Sequence, residues 1–86
     1  MGLLAVPAAL AVRAFIPPSP TRELVLLNLG RLGLQLNRPD VALVHLQALA
    51  AIEPRGKEGR YLLGMAYLRK GENDRARDIF TSLLAE

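Results

Sequence analysis

Residues 60–80 read RYLLGMAYLRKGENDRARDIF and decide the fold of this 86-residue chain. Their Leu63-Gly64 pair repeats the earlier Leu29-Gly30 pair at an offset of 34 residues. Three further pairs share this offset: Asn37 and Gly71, Ala42 and Ala76, and Leu46 and Phe80. Several matches at one offset indicate two copies of one structural unit, and the offset is typical of a helical repeat.

Each copy is predicted to contain two helices, because apolar residues recur at helical spacing between strong boundary signals. Thr21 is a suitable N-cap for the first helix, and Pro39 suits the first turn of the second. Gly71 can adopt the left-handed conformation that ends a helix, and Asn73 can cap the helix after it. The predicted helices span 23–36, 39–52, 57–70 and 74–85. Their short links favour antiparallel hairpins.

The apolar run from Leu3 to Val12 falls into the same register. Ala8, Val12 and Ile16 occupy the positions of Ala42, Leu46 and Ala50, respectively. The run therefore predicts the second helix of an earlier, partial unit, followed by a stiff Pro-rich linker. It is shorter than the roughly 20 apolar residues of a membrane-spanning helix. It also lacks the basic start of a secretory signal, although a trimmed signal or anchor remnant stays an alternative.

The repeats resemble the tetratricopeptide repeat family, whose pattern places Trp, Leu-Gly, Tyr, Ala, Phe and Pro at fixed intervals. The second unit supplies Arg60, Leu63, Gly64, Tyr67, Ala76 and Phe80, and the first supplies Leu26, Leu29, Gly30, Gly33, Ala42, Leu46 and Pro54. Arg60 and Leu26 replace the usual Trp, and Gly33 replaces the usual Tyr. The resemblance implies an all-α single domain of about five helices, stacked as antiparallel hairpins in a right-handed superhelix. Its parts are a partial repeat helix with linker at 1–22, one repeat at 23–56 and another at 57–86.

Packing explains the small residues of this pattern. Gly30 and Gly64 are expected where the second helix of each pair comes close, with Ala42 and Ala76 as the small residues facing them. Leu46 and Phe80 are expected to wedge between adjacent helices. Extra volume at such contacts destabilises a tight core by about 1–3 kcal/mol.

The resemblance also implies a non-enzymatic scaffold that binds another protein along a groove made by the first helix of each pair. The groove residues would be Leu27, Arg31, Leu34, Gln35, Tyr61, Met65, Leu68 and Arg69. One family subset binds C-terminal carboxylates with Lys and Asn, but Leu27 and Arg31 occupy those positions here. The apolar lining instead favours an apolar helix or extended segment, to which Met65 and Tyr61 can adapt.

The composition offers little support for catalysis. There is no Cys, and His45 is the only histidine. Its single position on a predicted helix is typical of a packing residue, and no Ser/His/Asp set has convincing spacing. The acidic residues near Asp74 alternate with Arg75 and Arg77, so they predict a solvated helix face and no metal site. We therefore expect no catalytic, metal or cofactor site.

The net charge of +3 is spread along the chain. A nucleic-acid surface needs basic groups concentrated on one face, so no nucleic-acid partner is expected. Membrane insertion is not expected either, and a cytoplasmic location is the default expectation.

The two ends of the array suggest a different class of function. Each repeat exposes an apolar side to its missing neighbour, and such surfaces often mark interfaces. Two explanations are open: the chain is a piece of a longer array, or it is a structural subunit that forms homo-oligomers through its terminal helices. The residues of that interface would be Val12, Phe15, Ile16, Ile79, Leu83 and Leu84. A third alternative is a chaperone-like holder of a secretion or envelope component.

Overall fold

The computed structural model describes residues 21–86, which form four helices with short connections. The helices are α1 (Arg22–Gln35), α2 (Pro39–Ile52), α3 (Lys57–Lys70) and α4 (Asn73–Leu84). Helices α1 and α2 form one antiparallel hairpin, α3 and α4 form a second, and α3 packs on α2 to join them. The predicted all-helical hairpin fold is confirmed. The fifth predicted helix and the Pro-rich linker fall within residues 1–20, outside the described residues.

The helix boundaries agree with their sequence signals to within one residue. The Thr21 side chain accepts a hydrogen bond from the Leu24 N–H at 3.2 Å, as expected of an N-cap. Gly71 ends α3 with a φ of 89°, in the left-handed region that a glycine adopts at low cost. Asn73 differs from its prediction, because it is the first residue of α4 and not its cap. The Glu72 carbonyl already accepts the Ala76 N–H at 3.2 Å, so helical bonding starts one residue earlier.

Two glycines lie where the helices of each hairpin meet. A Cβ built on Gly30 would be 2.4 Å from Leu46 Cδ2, and one on Gly64 would be 2.7 Å from Phe80 Cε1. Both distances are far below van der Waals contact, so the predicted close approach at these glycines is confirmed. The expected small partners of both glycines are wrong, however. Leu46, not Ala42, faces Gly30, and Phe80, not Ala76, faces Gly64. Ala42 instead faces Gly33, one turn nearer the connecting loop.

The core is continuous across the two hairpins. Its buried residues are Leu34, Ala42, Leu43, Leu46, Leu63, Ala66, Tyr67 and Ala76. Tyr67 is the one polar-tipped member of this set, and its hydroxyl accepts a hydrogen bond from Gln47 Nε2 at 2.9 Å. The Arg75 guanidinium lies over the same ring, 5.5 Å from its centroid. Tyr67 thus ties α3 to α2 and to α4.

Replacing Tyr67 by Phe should lower the free energy of unfolding by roughly 0.5–1.5 kcal/mol, since it removes one hydrogen bond and keeps the ring. Urea denaturation followed by circular dichroism measures the change. Tyr61→Phe is the matched control, because it removes the same hydroxyl from an exposed position on the same helix. Equal shifts for the two variants would show that the bond to Gln47 contributes no stability.

Candidate functional site

The predicted groove residues lie on α1 and α3, which the structure places side by side. The Arg31 guanidinium of α1 forms an ion pair with Glu58 of α3. Near the other end of the same face, Arg69 Nη1 of α3 donates a hydrogen bond to the Leu34 carbonyl of α1. The first helices of the two hairpins therefore form one surface, referred to below as the α1/α3 face.

The apolar side chains of the α1/α3 face differ in how much surface they offer. Tyr61 and Leu68 of α3 are 51% and 46% exposed. Met65 lies between them in sequence but is half-buried, and it packs against the core. The Tyr61 ring also contacts Phe80 of α4, with 5.9 Å between ring centroids. Tyr61 and Leu68 are consequently the side chains most available to a partner on α3.

The prediction that Leu34 lines an accessible groove is wrong for its side chain. Leu34 is only 6% exposed and belongs to the core. Leu68 occupies the equivalent position 34 residues later and is 46% exposed, so equivalence in the repeat pattern does not predict the burial of this side chain.

A cleft of about 330 Å³ opens where the N-terminal ends of α1 and α3 meet the C-terminal end of α2. Leu24, Leu27 and Leu49 supply its apolar lining. The rim is charged and formed by Glu23, Glu53, Lys57 and Glu58. Leu27 was predicted to line the groove, and this cleft is where the structure places it.

Leu27 is the one predicted groove residue that lines the cleft, and Leu24 and Glu58 are two of the lining residues that sequence reasoning missed. Leu24 lines the cleft, and Glu58 both lines it and pairs with Arg31. They are equivalent at the 34-residue offset, and they lie three residues before Leu27 and Tyr61. Because residues three apart share a helix face, extending the groove pattern back by one turn would have found them.

The remaining predicted positions are more dispersed. Gln35 is exposed at the end of α1, and His45 is half-buried on α2. Among the predicted oligomer residues, Ile79 and Leu83 are half-buried and Leu84 is exposed on α4, while Val12, Phe15 and Ile16 lie outside the described residues. Between residues 21 and 86, the structure brings together no three His, Asp or Glu side chains that could hold a metal ion. None of the helices in that range combines the length and hydropathy of a membrane span.

A family model described as tetratricopeptide repeat matches residues 33–86, more than half of the chain. The chain belongs to the tetratricopeptide repeat family. The match runs from the last turn of α1 through α4, so it includes the interface at which the two hairpins stack. Searches of curated proteins and of solved structures returned no significant match. Tetratricopeptide repeats are typically non-enzymatic protein-interaction modules, so membership of the family suggests an interaction scaffold that binds other proteins.

Proposed function

We propose that the α1/α3 face binds an apolar helix or extended segment of another protein. The observation that carries this proposal is the pair Tyr61 and Leu68, which are about half exposed on the first helix of a repeat. They are seven residues apart, so they lie on the same side of α3, about two turns from each other. A large aromatic and a leucine at this spacing suit the i and i+7 anchors of an amphipathic partner helix.

The charges on this face support an apolar partner over a carboxylate tail. Arg31 is a basic residue of α1 on this face, and Glu58 already pairs with it. Arg69 uses one guanidinium nitrogen on the Leu34 carbonyl. A carboxylate would have to compete with both contacts and would also meet the acidic side chains of the cleft rim. An apolar segment needs neither contact broken.

The proposal is tested with peptides selected from a displayed random library against the unmodified chain. Selected sequences should carry apolar residues at helical or alternating spacing. Tyr61→Ala combined with Leu68→Asp should then weaken binding of these peptides by at least roughly 30-fold, since the loss of even one central hot-spot residue costs about 2 kcal/mol. Fluorescence anisotropy of labelled peptides measures the loss. Met65 is left unchanged because its half-buried side chain also supports the core.

Val44→Asp is the matched control for this experiment. Val44 is an apolar residue of α2, more exposed than Tyr61 at 64%, and it lies outside the α1/α3 face. It should leave peptide affinity and the helical circular dichroism signal unchanged. Peptides that bind the double variant as tightly as the unmodified chain, or that lose binding with Val44→Asp instead, would place the binding surface elsewhere.

Self-association through α4 has weaker support. Leu84 is exposed on this helix, but Ile79 and Phe80 of the same helix pack against the core. The outward positions are mainly charged or hydroxylated: Asp74, Arg75, Arg77, Asp78, Thr81 and Ser82. Such a polar face offers little apolar surface to a second copy of the chain.

A further inference from the structure

The outer side of α1 carries a continuous apolar stripe, made by Val25, Leu29, Leu32 and Leu36. These side chains are between 37% and 61% exposed. Their spacings of four, three and four residues place them on one line along the helix. At about 100° per residue, the line runs on the side of α1 opposite Leu34, which is the side that faces α3 and the core. The stripe is therefore separate from the α1/α3 face.

The second repeat shows what covers these positions. The equivalents of the stripe in α3 are Gly59, Leu63, Ala66 and Lys70. Helix α2 covers them. A Cβ built on Gly59 would lie 2.9 Å from Leu49 Cδ2, and Lys70 Nζ pairs with Asp40 Oδ1 at 3.1 Å. Leu63 and Ala66 between them are buried in the core. In the second repeat, this line of the first helix therefore packs against the second helix of the preceding unit.

We propose that residues 6–15 of the same chain cover the stripe, lying antiparallel on α1 as α2 lies on α3. The 34-residue offset sets the register. Phe15 takes the place of Leu49 and faces Val25, and Val6 takes the place of Asp40 and faces Leu36. The ion pair between Asp40 and Lys70 in the α2/α3 contact is thus replaced by the apolar residues Val6 and Leu36.

The middle of the contact shows a compensating exchange of size. Leu43 of α2 and Ala66 of α3 share the core cluster. Their counterparts are Ala9 and Leu32, so the large residue changes sides while the combined volume stays similar. Cores tolerate exchanges that conserve volume far better than changes on one side alone. Residue types on the two segments are thus matched to each other.

The short link to α1 favours residues 6–15 over a second chain as the occupant of the stripe. Pro20 matches Pro54 at the same offset, so the link needs no insertion or deletion. A segment joined to α1 by a link this short competes at an effective concentration in the millimolar range. A second copy would have to displace it from the same stripe. This inference does not rest on the binding function proposed for the α1/α3 face.

The absence of cysteine from the chain permits a clean test with a nitroxide label attached at Pro7→Cys. Position 7 corresponds to Val41, which is exposed on α2, so the label should point away from the contact. In the nuclear magnetic resonance spectrum of the full chain, the label should broaden the amide signals of Leu36 and Leu32 more than that of Val25. Reducing the nitroxide should restore them. Antiparallel docking places position 7 beside Leu36. Without docking, the label would broaden Val25 more than Leu36, because position 7 is closer to Val25 along the sequence.

Three further samples decide between the occupants. Adding Leu32→Asp to the labelled chain should abolish the broadening at Leu36, whereas Val44→Asp, an exposed apolar position on α2, should not change it. Broadening strongest beside Thr21, or none at all on α1, would overturn the proposal. In a mixture of isotope-labelled chains without the nitroxide and unlabelled chains carrying it, broadening at Leu36 would assign the stripe to a second copy and also overturn it.

Discussion

Gly33→Tyr is expected to destabilise the chain by about 3 kcal/mol, although it restores the residue that tetratricopeptide repeats usually carry at this position. A Cβ at Gly33 would lie 2.8 Å from the backbone nitrogen of Ala42 and 3.0 Å from its Cα. Backbone atoms cannot rotate out of the way as a side chain can. Any side chain at this position must therefore push α1 and α2 apart, and the buried contact of Leu46 with Gly30 would be lost with them.

Urea denaturation monitored by circular dichroism measures this loss. Gln35→Tyr is the control, because it places the same side chain on an exposed position of the same helix and should change stability by less than about 0.5 kcal/mol. Gly33→Ala should also destabilise, despite a gain of about 1 kcal/mol in helix propensity. A Gly33→Tyr chain as stable as the unmodified one would show that the two helices can separate at little cost.

The repeat pattern predicts the helices of this fold, but it does not predict which residues meet between them. Four helices with nearly correct ends could be predicted from the shared offset and from three boundary residues, Thr21, Pro39 and Gly71. These signals act locally, through caps, turns and helical periodicity. Which residue faces which glycine depends on how two helices cross. The periodicity within one helix does not specify that crossing. Ala42 was therefore matched to Gly30 when it faces Gly33.

The candidate site was predictable as a face but not in its individual residues. The family resemblance identified α1 and α3 as the helices that share it. The prediction also treated Leu34 and Leu68 as alike, yet Leu34 is buried and Leu68 is about half exposed. The pairing of Arg31 with Glu58 was missed because the two residues occupy different positions in their repeats. Contacts of this kind form between stacked repeats, so a comparison of equivalent positions in the two repeats does not reveal them.

Leu46→Ala should cause a loss of similar size, about 2–5 kcal/mol, because it opens a cavity at the centre of the core. Leu46 is the largest side chain that is fully buried in the described part of the chain. It packs on α1 at Gly30, where its Cγ would be 2.5 Å from an added Cβ. Few core residues are available to a protein this small, so this loss is a large share of its stability.

Gly30→Ala should reverse its effect in the Leu46→Ala background. In the unmodified chain the added methyl group collides with Leu46 and destabilises the hairpin. In the Leu46→Ala chain the same methyl group occupies part of the cavity and gains about 1 kcal/mol of helix propensity, so the double variant should be more stable than Leu46→Ala alone. Gly64→Ala is the matched control, since Gly64 faces Phe80 and should give no rescue. Additive effects of Gly30→Ala and Leu46→Ala would contradict their direct contact, whereas a change of sign would identify the glycine and the leucine as one packing unit that fixes how closely α1 and α2 approach.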